Sequence, residues 1–186
     1  MAEEFPSQQP AQPAQPSGTA IGPGGQPLAE WWKRVVAAII DSFIVGIPAQ
    51  IIGNLFFGSM FVASQPRIDP NTGQLVGGAG FFAGILAATG ALILGNLILS
   101  AAYSIYLHSS RGQTVGKMAM KIKVVDMNTG ELIPYGRAGI RWGVQQALAI
   151  LTCGIGALLD GLWPLWDAKR QALHDKPANT VVIEVP

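Results

Sequence analysis

Arg34 and Asp41 are oppositely charged residues in a mostly apolar stretch, residues 31–61. They stand seven residues apart, so on an α-helix their side chains share one face, about 20° apart around the axis. A charge at membrane depth costs roughly 2.5 to 3.5 kcal/mol on insertion scales, and such residues usually face a bundle interior or a wet cavity. Asp41 therefore predicts polar partners elsewhere in the chain.

A second group of charges belongs to the last apolar region, where Asp160 and Asp167 share one face of a predicted helix. If this region packs against the first helix, Arg34 can pair with Asp41 or Asp167, and Arg141 can pair with Asp160. Two interpretations stay open. Static ion pairs would lock a helical bundle, which is the simpler way to make buried charges tolerable. Alternatively, a desolvated carboxylate among Asp41, Asp160 and Asp167 alternates between a proton and a cation.

His174 and Asp175 are adjacent polar residues of the kind that catalytic sites use. The sequence offers no nucleophile with a base at a defined spacing, no CxxC or HExxH pair and no glycine-rich phosphate loop. We therefore predict no enzymatic activity, no cofactor and no metal site, and we interpret His174 as a surface residue. The net charge of +1, without a dense basic cluster, argues against a nucleic-acid partner.

The composition, 49% hydrophobic and only 12% charged, is typical of a polytopic membrane protein. About 20 apolar residues suffice to cross a bilayer, and three regions reach this length, at about 35–63, 79–107 and 140–166. Small residues of the second region share one face, which favours close helix packing. They are Gly84, Ala88, Ala91 and Gly95.

The third apolar region, residues 140–166, is interrupted by Cys-Gly-Ile-Gly at 153–156. Basic residues flank both of its ends, which places both ends in the cytoplasm by the positive-inside rule. One crossing would violate that rule, whereas two arms of about 14 and about 10 residues are each too short for a bilayer core of ~30 Å. We favour a helical hairpin slightly over a third span and keep both alternatives.

Basic residues also predict the orientation in the plasma (inner) membrane. Lys33 and Arg34 precede the first span, and the loop 108–139 and the tail 167–186 are rich in Lys and Arg. These segments and the amino end are therefore predicted to be cytoplasmic. Residues 1–30, rich in Pro, Gln and Gly, predict a disordered cytoplasmic tail.

The cytoplasmic loop contains an alternating pattern around an Asn-Thr-Gly turn, residues 121–133. This pattern predicts a short β-hairpin. The carboxyl tail, residues 180–185, adds a candidate third strand, which the hairpin needs because two strands alone are marginal in water. The predicted fold is thus an all-α membrane protein, a small transmembrane bundle of two long spans plus a third apolar region, with a short cytoplasmic β-hairpin.

Three features together resemble the RDD family of bacterial integral membrane proteins. They are the Arg34 and Asp41 pair in the first span, a cytoplasmic segment with Gly-Lys at 113–133, and the closing segment 167–183 with Asp167. The family is named for one Arg and two Asp, which we match to Arg34, Asp41 and Asp167. Asp160 has no counterpart in that pattern. Some members are reported to act in transport, including cation/proton antiport.

The resemblance implies a small transporter, such as a cation/proton exchanger. Asp41 would take the proton or cation, Arg34 would tune its proton affinity, and Asp167 would lie at the cytoplasmic entrance. Three or four short helices scarcely enclose a pathway, so a homo-oligomer or a larger membrane complex is expected. The alternative is a non-catalytic accessory or scaffold subunit, in which the same Arg and Asp residues only lock the bundle.

Overall fold

The computed structural model describes residues 20–76 and 80–186 of the chain. Its helices are α1 (Trp31–Ser64), α2 (Phe81–Ser110), α3 (Val115–Ala119), α4 (Tyr135–Leu151) and α5 (Ile155–Leu162). Its strands are β1 (Arg67–Ile68), β2 (Leu75–Val76), β3 (Ile122–Asp126) and β4 (Thr180–Glu184). Short 3-10 turns occur at Pro23–Gly25 and Trp163–Leu165.

Helices α1 and α2 form a long antiparallel pair. Phe61 contacts Phe81 near one end, with ring centroids 5.7 Å apart, whereas Asp41 and Tyr103 meet near the other. Between these points, a side chain added at Gly53 would collide with Leu92, so glycine permits the close approach there. In each helix, only 6% of the most apolar 18-residue segment is buried inside the protein. The prediction of two long apolar helices is confirmed, and both are long and apolar enough to cross a membrane.

The third apolar region contains two helices, α4 and α5, that pack against each other. The chain reverses at Cys153 and Gly154, whose φ angles of 52° and 92° are left-handed. Gly156 lies so close to α4 that an added Cβ would be 2.6 Å from the Leu148 carbonyl oxygen. One continuous helix over this region is therefore not observed.

The predicted β-hairpin at 121–133 is wrong, because β3 pairs with the carboxyl tail instead. Strands β3 and β4 are antiparallel, with Val124 opposite Val182. After β3, a turn closed by the Gly130 amide and the Asp126 carbonyl leads almost directly to Pro134 and α4. Only three residues separate the turn from a proline, which lacks the N–H that a paired strand needs. The tail supplies five residues and takes that position.

The prediction of disorder for residues 1–30 does not hold for the part that the structure describes. The amide of Ala29 donates to the Val182 carbonyl at 2.8 Å, and the Glu184 amide donates to the Pro27 carbonyl at 2.8 Å. Leu28 and Ala29 are buried, so this segment covers one edge of β4. Residues 1–19 of the predicted tail lie outside the described residues.

The main apolar core lies at this end of the molecule, where the sheet packs against the helices. It joins residues of β3 and β4 to one residue each from the amino-terminal segment, α1, the turn before α4, and α4 itself. These are Ala29, Ala37, Ile122, Val124, Ile133, Ala138 and Val182. This core joins the amino-terminal parts of α1 and α4. It thereby positions the polar residues that lie next to it on these helices.

The predicted packing face on α2 is present only in part. Gly84, Ala88 and Ala91 are half-buried, whereas Gly95 is exposed, and a Cβ built there would meet no described atom within 4 Å beyond its chain neighbours and its own helix backbone. The spacing of small residues shows which of them share a face of α2. Where α2 contacts α1 depends also on the side chains of α1, which the spacing does not describe. Here the contact with α1 uses Gly53 instead.

Candidate functional site

A cavity of about 600 Å³ lies between α1, α2, α4 and α5. Residues of α3, of the loop before it and of the carboxyl tail also line this cavity. Polar and charged side chains line much of it, although the outer faces of α1 and α2 are apolar. Its titratable lining residues include Arg34, Asp41, His108, Lys117, Arg141, Asp160 and His174. The cavity is therefore the place where this chain collects its buried charges.

Asp41 is bound by three neutral donors. The Tyr103 hydroxyl donates to its Oδ1 at 2.7 Å, the Thr114 hydroxyl to its Oδ2 at 2.5 Å, and the Gly116 amide to its Oδ1 at 2.8 Å. No hydrogen bond or ion pair joins it to Arg34 among the described residues, so the expected Arg34–Asp41 pair is not formed. Asp41 instead ties α1 to α2 and to the loop that begins α3.

Gly116 permits this arrangement, because α3 lies directly against α1. A Cβ at residue 116 would clash with the Ala37 carbonyl oxygen and lie 2.9 Å from Cγ of Asp41. The next amide along, that of Val115, donates to the Tyr103 hydroxyl oxygen at 3.0 Å. The Gly-Lys segment noted in the sequence is thus the segment that binds Asp41, and it brings Lys117 to the cavity wall.

Arg34 and Arg141 share one carboxylate, that of Asp175. Arg34 donates to Asp175 Oδ2 at 3.0 Å, and Arg141 donates to Oδ1. The Ala172 amide and the Thr180 hydroxyl also donate to this carboxylate, at 2.9 and 3.1 Å. Asp175 is fully buried. Burial alone would raise its pKa, but Arg141, His174 and Arg34 outweigh that effect and hold the pKa well below its usual range.

His174 pairs with Asp160, so its interpretation as a surface residue is wrong. Its amide donates to Asp160 Oδ1 at 2.9 Å, and its Nδ1 lies 2.5 Å from Asp160 Oδ2. Both residues are buried. The expected Arg141–Asp160 pair is likewise replaced, because the tail passes between the helices and presents His174 to α5 and Asp175 to Arg141.

Asp167 stands apart from the cavity. It accepts hydrogen bonds from the amides of Lys169 and Gln171 and pairs with Lys176 at 2.7 Å, which organises a turn of the tail. Burial opposes the effect, but Lys176 and the Gln171 amide lower the pKa of Asp167 overall. It is not among the lining residues, and the carboxylate that meets Arg34 is Asp175.

Several polar atoms on the cavity wall have no hydrogen-bond partner among the described residues. Arg34 Nε and Nη2 are buried without a hydrogen bond, as is His108 Nε2. His108 Nδ1 faces the Ser104 carbonyl oxygen at 2.7 Å, which assigns the ring proton to Nδ1 when the ring is neutral. Lys117 makes no hydrogen bond or ion pair that the described part of the chain supplies. Burial, reinforced by the charge of Arg141, lowers the pKa of Lys117 to about 8.

Sequence reasoning missed the residues that complete this site, namely Tyr103, His108, Thr114, Gly116, Lys117 and Asp175 as a partner of both arginines. The partners of Tyr103, Thr114, Gly116 and Asp175 are 34 to 141 residues away in the chain, whereas helical periodicity relates only neighbours on one helix. Across residues 20–76 and 80–186, no group of three or more His, Cys, Asp or Glu is placed to hold a metal ion.

The structure has two long apolar helices beside a cavity lined by charged residues. This arrangement, together with the apolar sequence, suggests a helical protein associated with a membrane. The chain belongs to the RDD family, whose model matches residues 28–179.

Relatives agree with this assignment. The "Proline-rich antigen" of Mycobacterium leprae is 29% identical over 160 residues, 83% of this chain and 60% of that protein. A "Proline-rich antigen homolog" of Mycobacterium tuberculosis is 39% identical over 80 residues, 43% of this chain and 31% of that protein. A Rickettsia prowazekii protein is 33% identical over 89 residues, 48% of this chain and 46% of that protein. The chain thus spans less than two thirds of these relatives' length, and no solved structure matches it.

Proposed function

We propose that this chain is a small integral membrane transporter whose charged cavity is its solute site. The observation that supports the proposal most is the position of the cavity, between helices whose outward faces are apolar. Charges that serve no ligand or pathway are rare inside membrane helices because they are costly there. In the proposed cycle, Asp41 takes the proton or the cation.

Exposure of the helices supports a lipid environment. Large apolar side chains on both helices face outward, among them Phe43, Leu55, Leu86 and Ile98, which are 61 to 74% exposed. A soluble protein rarely exposes so extensive an apolar surface, and a soluble core helix would be buried. The cluster of Lys33 and Arg34 at the start of α1 supports a cytoplasmic amino end in the inner membrane.

The α4–α5 hairpin supports entry from the cytoplasmic side. Its tip is apolar and exposed, with Leu151 82%, Ile155 64% and Leu158 68% exposed. Helix α4 has 17 residues and α5 has 8, so they are about 25 and about 12 Å long. Neither spans a hydrocarbon core of ~30 Å. We therefore propose that the hairpin dips into the bilayer and returns.

Proton binding at Asp41 has a structural consequence in this geometry. The ionised carboxylate accepts from Tyr103, Thr114 and Gly116. A carboxyl protonated at Oδ2 becomes a donor there, so the Thr114 hydroxyl turns to accept, and the attraction of the two remaining donors, Tyr103 and Gly116, to Oδ1 weakens. Protonation would thus loosen the contact between α1 and the loop before α3, at the part of the cavity wall that Thr114 and Lys117 form.

The test is proton flux in proteoliposomes containing the full chain, driven by Na⁺, K⁺ or Li⁺ and followed with a pH-sensitive dye. Asp41→Asn keeps the shape and one of the two acceptor oxygens but cannot change charge, so flux should vanish while the protein stays folded. Asp69→Asn is the matched control, because Asp69 also accepts backbone amides, at Asn71 and Thr72, but lies in the β1–β2 loop. Unchanged flux in Asp41→Asn would contradict the role of Asp41.

A second candidate is an accessory membrane subunit, and the Arg34–Asp175–Arg141 cluster favours it. This cluster joins α1, α4 and the carboxyl tail, as a structural lock would. If locking is the only role of the charges, any loss of activity in Asp41→Asn should accompany loss of folded protein. Absence of flux with every ion, in protein shown to be folded, would favour this candidate over the transporter.

We also propose that the chain works as a homo-oligomer or within a larger membrane complex. The exposed apolar faces of α1 and α2 supply the surface for such contacts. Native mass spectrometry of the protein released from lipid nanodiscs gives the number of copies. A monomer that retains ion-driven flux would overturn this part of the proposal.

A further inference from the structure

We infer that the cavity binds a small organic oxyanion, a carboxylate or phosphate that also carries a hydroxyl group, with Lys117 and Arg34 as its anchors. This inference rests on the proposed solute site and names the chemical class of its solute. Asp41 then serves as the proton site beside the anion rather than as a binding site for a metal cation.

The balance of donors and acceptors in the cavity supports an acceptor-rich ligand. The lining carboxylates are already bound: Asp41 accepts from three donors and Asp160 from His174. The buried lining atoms without a hydrogen bond are Nε and Nη2 of Arg34 and Nε2 of His108. The amine of Lys117, which is half-buried, also lacks a partner among the described residues. A buried donor without a partner is costly. An oxyanion offers several acceptor oxygens to these groups, whereas a metal cation offers none.

The local charges point the same way. Arg34 and Arg141 share the single carboxylate of Asp175, which leaves one positive charge unbalanced in that cluster. Lys117 adds a further amine to the same cavity, and it has no ion pair within the described residues. An anion would be attracted to Arg34 and Lys117, and Asp41 and Asp160 balance these positive charges over the cavity as a whole.

The volume of the cavity and the acceptor atom of His108 restrict the size and the functional groups of the ligand further. At about 600 Å³, the volume suits an organic molecule of several heavy atoms and exceeds what a bare inorganic ion fills. Val35, Ile39 and Val45 supply an apolar part of the wall. His108, only 4% exposed, carries its proton on Nδ1 when neutral and therefore offers Nε2 as an acceptor. A hydroxyl on the ligand would satisfy this atom.

The first experiment measures binding to the purified full chain in phosphatidylcholine nanodiscs, by calorimetry at constant ionic strength. The probes are glycerol 3-phosphate and lactate, with glycerol as the neutral control and sodium chloride as the cation control. We expect saturable binding of at least one of the two anions and none of the controls. Binding of neither anion, or equal binding of glycerol, would overturn the inference and leave a water-filled cavity.

Matched variants locate the site. Lys117→Gln should weaken anion binding about tenfold or more, because it removes a charge-assisted hydrogen bond. Lys121→Gln removes an exposed lysine four residues away and should leave Kd unchanged. Arg67→Gln is the corresponding exposed control for Arg34→Gln, whose folding is checked by circular dichroism. Equal weakening by Lys117→Gln and Lys121→Gln would mean surface attraction only and contradict the site.

Phosphate chemistry also occurs in lipid headgroups, so the source of the anion is tested separately. Nanodiscs that contain phosphatidylglycerol should compete with soluble glycerol 3-phosphate if a headgroup enters the cavity, and should not compete if the ligand comes from solution. Either result supports the oxyanion class, because both need the cavity to bind phosphate.

The binding assay separates this inference from the transport proposal. Anion binding that depends on Lys117, without flux of any solute, would support the inference and count against transport. Cation-driven proton flux without anion binding would support transport and overturn the oxyanion.

Discussion

Asp41 and Asp175 are two carboxylates that both act on Lys117, and they are bound in different ways. Asp175 is fully buried and pairs with two guanidinium groups. Asp41 is half-buried and is bound by hydroxyls and an amide, without an ion pair. One carboxylate is held by fixed opposite charges, and the other is held by neutral dipoles.

The difference matters because the two kinds of partner respond differently to a change of charge. Neutralising Asp175 would leave Arg34 and Arg141 buried without a counter-charge, which strongly opposes its protonation. Neutralising Asp41 would only weaken hydrogen bonds from neutral donors. The Thr114 hydroxyl, moreover, can accept a hydrogen bond as well as donate one. The two carboxylates are therefore expected to contribute differently to stability: Asp175 as the counter-charge of two buried arginines, and Asp41 as the acceptor of three neutral donors.

The largest expected effect comes from Asp175→Asn. It removes the shared counter-charge of two arginines, and breaking a buried pair in this way costs roughly 3 to 5 kcal/mol. Asp41→Asn, which keeps neutral partners, should cost only about 1 kcal/mol. Thermal unfolding of both variants in the same detergent, followed by circular dichroism, measures the difference. Similar losses of stability in the two variants would break the comparison.

Gly116→Ala should have an intermediate effect, confined to the Asp41 site. The added Cβ would clash with the Ala37 carbonyl, so α3 must move away from α1 and the Gly116 amide leaves Asp41. Overpacking of this kind costs about 1 to 3 kcal/mol. Gly136→Ala is the control, because a Cβ there would meet no described atom within 4 Å beyond its chain neighbours and its own helix backbone.

Hydrogen–deuterium exchange gives the second readout for Gly116→Ala. Amides of residues 114–119 should exchange faster in this variant, while the tail around Asp175 should keep its protection. Loss of protection at both places would show that the two carboxylate sites form one cooperative unit rather than two.

The sequence predicted the scaffold better than the site, and the reason is the range of each interaction. Length and apolar composition identified α1 and α2, and the glycines at 154 and 156 marked the break between α4 and α5. Each of these signals is local. The partner of Arg34, by contrast, is 141 residues away, and periodicity could show only that Arg34 and Asp41 share a helix face.

The carboxyl tail illustrates the same limit. Its basic composition favours a solvated segment, which is why the sequence predicts His174 to be a surface residue. In the structure β4 pairs with β3, and this pairing pulls the preceding turn between the helices, where His174 and Asp175 become buried. The burial follows from a long-range strand pairing, which the residues around His174 do not encode.

The smallest effect, and the sharpest comparison, concerns the protonation of Lys117, which lies near both carboxylates. Burial and Arg141 lower its pKa to about 8, whereas Asp41 and Asp175 oppose this. The charged and titratable groups that act on it come from α1, α2, α4 and the tail. They are Arg34, Asp41, His108, Arg141 and Asp175.

A bound oxyanion stabilises the charged form of the Lys117 amine. Above pH 8 the anion-bound protein therefore holds more protons than the free protein. The affinity for the anion must then fall as the pH rises through about 8. Calorimetry with glycerol 3-phosphate at pH 7 and 9 should show a loss of up to about tenfold, absent in Lys117→Gln. In Asp41→Asn the midpoint should move to lower pH, because that carboxylate stabilises the ammonium. A midpoint that Asp41→Asn leaves unchanged would mean that Asp41 and Lys117 do not act on the same ligand site.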